Sequence, residues 1–117
     1  TPTIKYRKGK TMNYYEHIKT IAGDIMNERE HWSEDDLLDI ASQHADGSQL
    51  VIYYGEAHEF VRWLRSDIRN DAEDSVADCF PEFGSYDETA SRIAYFALER
   101  MILDEVTERL EKESEAA

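Results

Sequence analysis

Apolar residues recur at helical spacing between Ser48 and Arg69, and this stretch has the strongest pattern in the chain. Alternating steps of four and three residues place six side chains on one helix face: Leu50, Tyr54, Ala57, Val61, Leu64 and Ile68. The pattern predicts one continuous central core helix. A competing interpretation makes residues 50–54 a short buried strand that ends at Gly55, because β-branched and aromatic residues favour strands. The apolar stripe continues for three turns past the glycine, which favours the helix.

Two helices are predicted before this stretch. Asn13 followed by Glu16 is a helix-start pattern, and the first helix is expected to continue to about Arg29. Ser33 precedes three acids that suit the positive end of a helix dipole, so we expect it to cap a second helix that ends at Gly47. The expected inner faces are Tyr14, Ile18, Ile21, Ala22 and Ile25 in the first helix and Leu37, Leu38, Ile40, Ala41 and His44 in the second.

Two further helices are predicted after the central stretch. A weaker stripe runs from Ile68 through Ala72 and Val76 to Cys79 or Phe80, and Pro81 follows it. Cys79 is expected to be a small core residue. Ser85 and Glu88 form a capping-box pattern before a long helix that reaches about Glu113. Its inward positions are Ile93 or Ala94, Ala97 or Leu98, Met101 or Ile102, Val106 and Leu110.

These elements predict a mainly α protein, a single compact bundle of four or five helices with a short extended N-terminal arm. With 117 residues, the chain has the length of one ordinary domain. We place a basic arm at residues 1–12 and an acidic helical domain at residues 13–115.

Charge is the strongest functional signal in the sequence. The chain has 26 acidic and 13 basic residues and a net charge of −13. Residues 1–12 contain no acid and four cations, Lys5, Arg7, Lys8 and Lys10. The remaining residues therefore hold all 26 acids against 9 cations, a net charge of −17. Such a body repels nucleic acids and anionic membrane surfaces, so its expected partners are basic protein surfaces.

Motifs of enzymes and cofactor sites are missing from the sequence. It has no nucleophile elbow, phosphate-binding loop or dinucleotide fingerprint, so we predict neither an enzyme nor a cofactor. Glu28 and His31 have the spacing of one half of a di-metal bundle site, but the second half is missing and no metal is predicted. The single cysteine excludes an intrachain disulfide, and no apolar run would span a bilayer. We expect a protein of the bacterial cytosol.

The acids are concentrated in particular segments. Between Asp67 and Glu88, eight acids accompany one cation, Arg69, and we expect no short-range pairing to neutralise them. Crowded like charges repel one another, which folding does not reward but binding to a basic groove would. The ordinary alternative is a solvated helix face. The expected partner-binding residues are Asp67, Asp71, Glu73, Asp74, Asp78, Glu82, Asp87, Glu88, Glu34, Asp35, Asp36, Asp39, Glu105 and Glu108.

The order of three segments resembles the Ocr family of phage DNA mimics. These segments are the acid-capped helix DDLLDIASQHADGSQ, the tyrosine-containing helix VIYYGEAHEFV and the acidic C-terminal helix that begins DETASRIAYF. The resemblance implies an antirestriction inhibitor that fills the DNA groove of a type I restriction enzyme, usually as a homodimer. This chain is less acidic than Ocr, and its basic arm has no counterpart there. The same charge logic fits acidic phage anti-CRISPR proteins that block the basic channel of a CRISPR effector.

An alternative function needs no DNA mimicry. Exposed aromatic residues can anchor a protein partner, and Trp32, Tyr53 and Trp63 are candidates for this role. The chain would then be an acidic interaction adaptor. The exposure of Trp63 is the observation that separates this alternative from a purely electrostatic surface.

Overall fold

The computed structural model describes residues 13–82 and 84–116, and this part of the chain contains helices and no strand. Two 3-10 turns, Arg29–His31 and Glu34–Asp36, join the first two helices. The mainly α fold class is therefore confirmed, whereas the predicted N-terminal arm lies outside the described residues. The helices are α1 Tyr14–Asn27, α2 Leu37–Asp46, α3 Gln49–Ile52, α4 Tyr54–Trp63, α5 Ser66–Cys79 and α6 Tyr86–Ala116.

The long helix α6 is the centre of the fold, and the other five α-helices all pack against it. Its 31 residues span about 46 Å at the usual helical rise, which matches the 47 Å long dimension of the molecule. A column of small and branched side chains faces inward along its length, and all are buried: Ala90, Ile93, Ala94, Ala97, Leu98, Ile102 and Val106. The predicted inward positions of this helix are confirmed, with Met101 and Leu110 partly buried at its edge.

Two of the predicted helix starts are confirmed by their capping contacts, and the third cap lies one 3-10 turn before the α-helix that it was expected to begin. The Asn13 side chain accepts a hydrogen bond from the backbone N–H of Glu16 at 3.1 Å. Ser85 and Glu88 exchange reciprocal hydrogen bonds of 3.0 Å at the start of α6. Ser33 caps the 3-10 turn that leads directly into α2, and it shares a capping box with Asp36. Local sequence alone determines these three starts, because each needs only residues within one turn.

The continuous helix predicted from Ser48 to Arg69 is wrong, since the chain breaks there twice. Tyr53 takes an extended conformation between α3 and α4, and Leu64 and Arg65 are extended between α4 and α5. The first break falls in a β-branched and aromatic run next to a glycine, where helix propensity is low. Residues 49–52 are helical, so the strand interpretation is also wrong. The breaks let this part of the chain wrap around α6. Helix α6, and not residues 48–69, is therefore the central helix of the core.

Tyr54, Leu38 and both candidates for the last residue of the α5 stripe, Cys79 and Phe80, are exposed although the sequence predicts that they lie in the core. Tyr54 begins α4 after the first break, so it leaves the apolar stripe and is 46% exposed. Leu38 is 53% exposed because the buried face of α2 follows a four-residue step through Leu37, Ala41 and Ala45. Cys79 is exposed because α5 ends there, beyond its last buried residue. In each case the backbone or the register excludes the side chain from the packed face.

Ser48 is a buried polar residue with two partners. Its hydroxyl accepts from the backbone N–H of Leu50 at 3.2 Å and lies 2.9 Å from the Nε2 atom of His17 on α1. This pair joins the start of α3 to α1. Burial lowers the pKa of His17 below its usual value, so the folded protein favours the neutral imidazole.

We expect Ile102→Ala to lower the free energy of unfolding by about 2 to 5 kcal/mol, because the side chain is fully buried at the centre of α6. Urea unfolding measures this value. Thr107→Ala, an exposed change on the same helix, is the control and should cost less than about 0.5 kcal/mol. Equal effects of the two changes would contradict the central role of α6.

His17 should make stability depend on pH. Because its pKa is lowered in the folded state, this contribution is complete above the unfolded pKa of about 6.5 and is lost as the pH falls from there toward the folded pKa. We expect the free energy of unfolding to fall less between pH 7.5 and pH 5.5, roughly one unit on each side of that unfolded value, in His17→Gln than in the parent chain. Denaturant titrations at both pH values test this. An identical decline in both proteins would contradict it.

Candidate protein-interaction surface

Four of the predicted acids form a stripe along α5. Asp67, Asp71, Asp74 and Asp78 are spaced by four, three and four residues, so they share one flank of the helix. All four are exposed, whereas the opposite side carries the buried Ile68, Ala72 and Val76. The stripe spans about 16 Å along the helix axis.

A second stripe with the same spacing lies on the C-terminal half of α6. It contains Asp104, Glu108, Glu111 and Glu115, which are all exposed. Only Glu108 was among the residues predicted from the sequence. The other three carry the same spacing of four, three and four residues, so a search for helical acidic stripes would have found them.

The two stripes meet at Arg100. Its guanidinium forms ion pairs with Asp71 on α5 and, at 3.8 Å, with Asp104 on α6. Helix α5 runs antiparallel to α6, because Ile68 lies beside Met101 in one groove and Val76 lies beside Ile93 in another. The α6 stripe begins beside the first residues of α5. From there it continues toward the C-terminal end of α6, where α5 no longer lies alongside. We call these two stripes together the acidic band.

Within the described part of the chain, four of the eight acids from Asp67 to Glu88 form ion pairs, and two of these pairs, Arg65–Asp67 and Arg92–Glu88, are short-range, which corrects part of the expectation from the sequence. Arg65 donates two hydrogen bonds to Asp67, at 3.1 and 3.2 Å, and it lowers the pKa of that carboxyl group. His58 lies 2.7 Å from Asp87, outside the band. The cations come from elements outside the acidic segment, whereas Arg69 within it donates to the backbone oxygen of Leu64. Except for Arg65 and Arg92, these partners are invisible in the local sequence.

Other predicted acids have a structural role. The Ser85 backbone N–H and hydroxyl hold the pKa of Glu88 below its usual value at the start of α6. Asp36 accepts hydrogen bonds from the backbone and hydroxyl of Ser33. Glu105 is partly buried and accepts from Arg109 at 2.9 Å. These carboxylates stabilise helix ends and helix contacts.

The structure separates the remaining predicted acids into three places. Glu34 lines a shallow pocket with Glu111 and so adds charge beside the α6 stripe, whereas Asp35 and Asp39 are exposed on the neighbouring 3-10 turn and α2. Glu73 lies on the other flank of α5, in a groove that Glu82 also lines. Asp87 and Glu88 lie at the start of α6, beside Tyr86. The predicted set is therefore only partly one surface.

An aromatic groove borders the band. It has a volume of about 230 Å³, and its walls come from α1, the α4–α5 junction and α6. Trp63 is 36% exposed there, and its ring contacts Tyr14, Tyr15 and Phe60 at centroid distances of 4.9 to 5.8 Å. Of the other candidate anchors, Tyr53 is 61% exposed and Trp32 is partly buried with its indole N–H bonded to the oxygen of Ile25.

Within residues 13–82 and 84–116, no three His, Cys, Asp or Glu side chains come together as ligands for a metal ion. Glu28 and His31 are both exposed and follow the end of α1, Glu28 as its C-cap and His31 in the 3-10 turn Arg29–His31. No helix in the described part of the chain has an apolar stretch long enough to cross a membrane. No family model, curated protein or solved structure matches the chain.

Replacing Arg100 by Gln should make stability more dependent on salt. The variant leaves Asp71 and Asp104 without their shared cation, so their repulsion is relieved only by screening. Both carboxylates are exposed, so we expect the free energy of unfolding at high salt to change by less than about 1 kcal/mol. Arg29→Gln removes the cation from one carboxylate, Glu113, and is the matched control. Thermal melts at low and at molar salt measure this dependence. An equal effect of salt on the melting temperature of both variants would contradict a junction of the two stripes at Arg100.

Proposed function

We propose that this protein inhibits a bacterial DNA-binding defence system by acidic DNA mimicry. The acidic band is the observation that carries the proposal. Its stripes hold eight carboxylates on two rigid helices at an average of about 5 Å of axial rise per charge within each stripe. The target would be a basic nucleic-acid-binding surface of a restriction enzyme or a CRISPR effector, in the bacterial cytosol.

The density of charge supports partial mimicry of a duplex. B-DNA has one negative charge for each ~1.7 Å of axis, or about ten over the ~16 Å of the α5 stripe. Four aspartates on α5 provide fewer than half of these. The α6 stripe and Glu34 add charge nearby, and the whole body has a net charge of −17 outside residues 1–12. A basic groove would therefore contact an extended row of carboxylates rather than a single acidic residue.

Rigidity supports the same proposal. The α5 stripe lies directly opposite buried Ala72 and Val76, so the backbone that carries it is fixed by the core. Preorganised carboxylates lose little conformational freedom on binding a groove that already matches them. We infer no enzymatic activity and no cofactor, and the resemblance to dimeric DNA mimics makes a homodimer part of this proposal.

An interaction adaptor is the second candidate. The partly exposed Trp63 beside Tyr15 favours it, because aromatic side chains in a groove are typical binding hot spots. If the protein is an adaptor, Trp63→Ala should abolish binding and changes in the band should have little effect. Mimicry predicts the reverse.

The mimicry proposal predicts displacement of DNA. A type I restriction enzyme and a Cas9-type effector, each loaded with fluorescent duplex DNA, should be titrated with the protein. We expect release of DNA from at least one of them, with an affinity that falls steeply as salt rises. Failure to release DNA from either target at low salt, or release that is indifferent to salt, would contradict the proposal.

The band can be tested against acids elsewhere on the surface. Combining Asp71→Asn, Asp74→Asn and Asp78→Asn should reduce the association rate with the responding target by about tenfold, because the three charges share one field. Asp24→Asn, Glu28→Gln and Glu30→Gln make the same change in net charge near the end of α1 and should have a smaller effect. Stopped-flow association measures both rates. Equal reductions would show that net charge acts without the band.

A further inference from the structure

Five neighbouring side chains form a largely apolar patch where α3 and α4 meet the start of α6. Four of them, Ile52, Tyr53, Tyr54 and Tyr86, are 46 to 74% exposed. Tyr54 and His58 lie one turn apart on α4, and the ring centroid of His58 is 4.5 Å from that of Tyr86. We call Ile52, Tyr53, Tyr54, His58 and Tyr86 the tyrosine patch.

Contacts with α6 hold the backbone beneath the tyrosine patch. Ser91 on α6 donates a hydrogen bond to the backbone oxygen of Val51 at 2.7 Å, so the end of α3 is joined to α6. His58 lies 2.7 Å from Asp87, which joins α4 to the same end of α6. Val51 and Ala57 are buried on the inner side of α3 and α4. The exposed rings therefore extend from a fixed backbone, and a tyrosine side chain loses little conformational freedom when a partner covers it.

Charge is scarce in this part of the surface. Residues 47–55, which include three of the five patch residues, form the longest run of the chain without Asp, Glu, Lys or Arg. Two copies of a chain with a net charge of −13 repel each other where their carboxylates meet. A second copy therefore meets little repulsion at the tyrosine patch. A basic partner gains less there, because Asp87 beside the patch already faces His58.

The exposed area suits the centre of a dimer interface. At ~200 Å² for a whole tyrosine side chain, the three tyrosines of the patch leave roughly 360 Å² accessible. Stable interfaces cover about 800 Å² on each partner, with an apolar centre and a polar rim. Two-fold symmetry sets the patch of one copy against the same patch of the other, so each ring meets an apolar surface.

We propose that the tyrosine patch is the interface of a homodimer, in which Tyr53, Tyr54 and Tyr86 of each copy pack against the same patch of the other. The α6 stripe stays open in this dimer, because its first acid, Asp104, is 18 residues beyond Tyr86, or about 27 Å along the helix. The inference rests on the proposed function only in that it names the interface of the homodimer included there. Its test uses no DNA-binding target, so its failure and a failure of DNA mimicry are separate results.

Sedimentation equilibrium of the full chain, from about 1 to about 300 μM, tests the proposal over the range in which a modest interface dissociates. We expect a monomer–dimer equilibrium. Tyr54→Ser with Tyr86→Ser should raise the dissociation constant at least about tenfold, because the centre of the interface is lost. Tyr54→Phe with Tyr86→Phe keeps the rings and should retain the dimer, and circular dichroism checks that the helices remain in each variant.

The matched control is Tyr15→Ser with Leu38→Ser, which removes two exposed apolar side chains outside the patch. The dissociation constant of this control should stay within about twofold of the parent value. A chain that remains monomeric at the highest concentration would overturn the proposal. A dimer that both pairs of serine substitutions weaken equally, or that only the control pair weakens, would overturn it as well.

Salt gives a second measurement on the same dimer. Screening reduces the repulsion between two acidic chains and leaves an apolar contact intact, so the dissociation constant should fall as salt rises. This is the reverse of the dependence expected for binding to a basic target. A dimer that dissociates as salt rises would show that charge pairs hold it, which would overturn an interface made by the tyrosine patch.

Discussion

Burial of helix α6 is the constraint on which the rest of the structure depends. Every other α-helix packs on it, and its side chains from Ala90 to Val106 supply the largest share of the core. A helix covered on several sides must be apolar around most of its circumference in that region. Beyond Val106 no described side chain of α6 is fully buried, and four of the exposed positions there are glutamates.

The same constraint explains the acidic band. Helix α5 is short, so it covers α6 only as far as Met101 and Asp104, and the acids of the α6 stripe are exposed from that point on. On α5, three buried residues in steps of four fix the face that contacts α6, and the aspartates are thereby aligned on one flank. Arg100 lies where both stripes approach each other and reduces their repulsion. The band is thus a consequence of which surfaces the core leaves uncovered, and the function proposed for it uses a surface that is already rigid.

Much of the fold could be predicted from the sequence because its signals are local. Asn13, Ser33 and Ser85 mark helix starts through contacts within one turn, and the apolar stripe of α6 is evident over many turns. The breaks at Tyr53 and Leu64 could not be predicted with the same success, because the apolar stripe runs without interruption through both and neither proline nor glycine lies in the break itself. For the candidate site, the sequence located the α5 aspartates but not the pairing of Asp71 with Arg100, which are 29 residues apart. Ion pairs of this kind depend on tertiary structure, which periodicity does not encode.

The central claim is that the acidic band occupies the surface where a target binds DNA. Zero-length cross-linking of carboxylates to lysines, carried out on the complex with the responding restriction enzyme or CRISPR effector, tests it most directly. The account predicts cross-links from Asp74, Asp78, Glu108 and Glu111 to lysines in the DNA-binding groove, and duplex DNA should suppress them. Cross-links restricted to acids outside the band, or to lysines that DNA does not protect, would contradict the account.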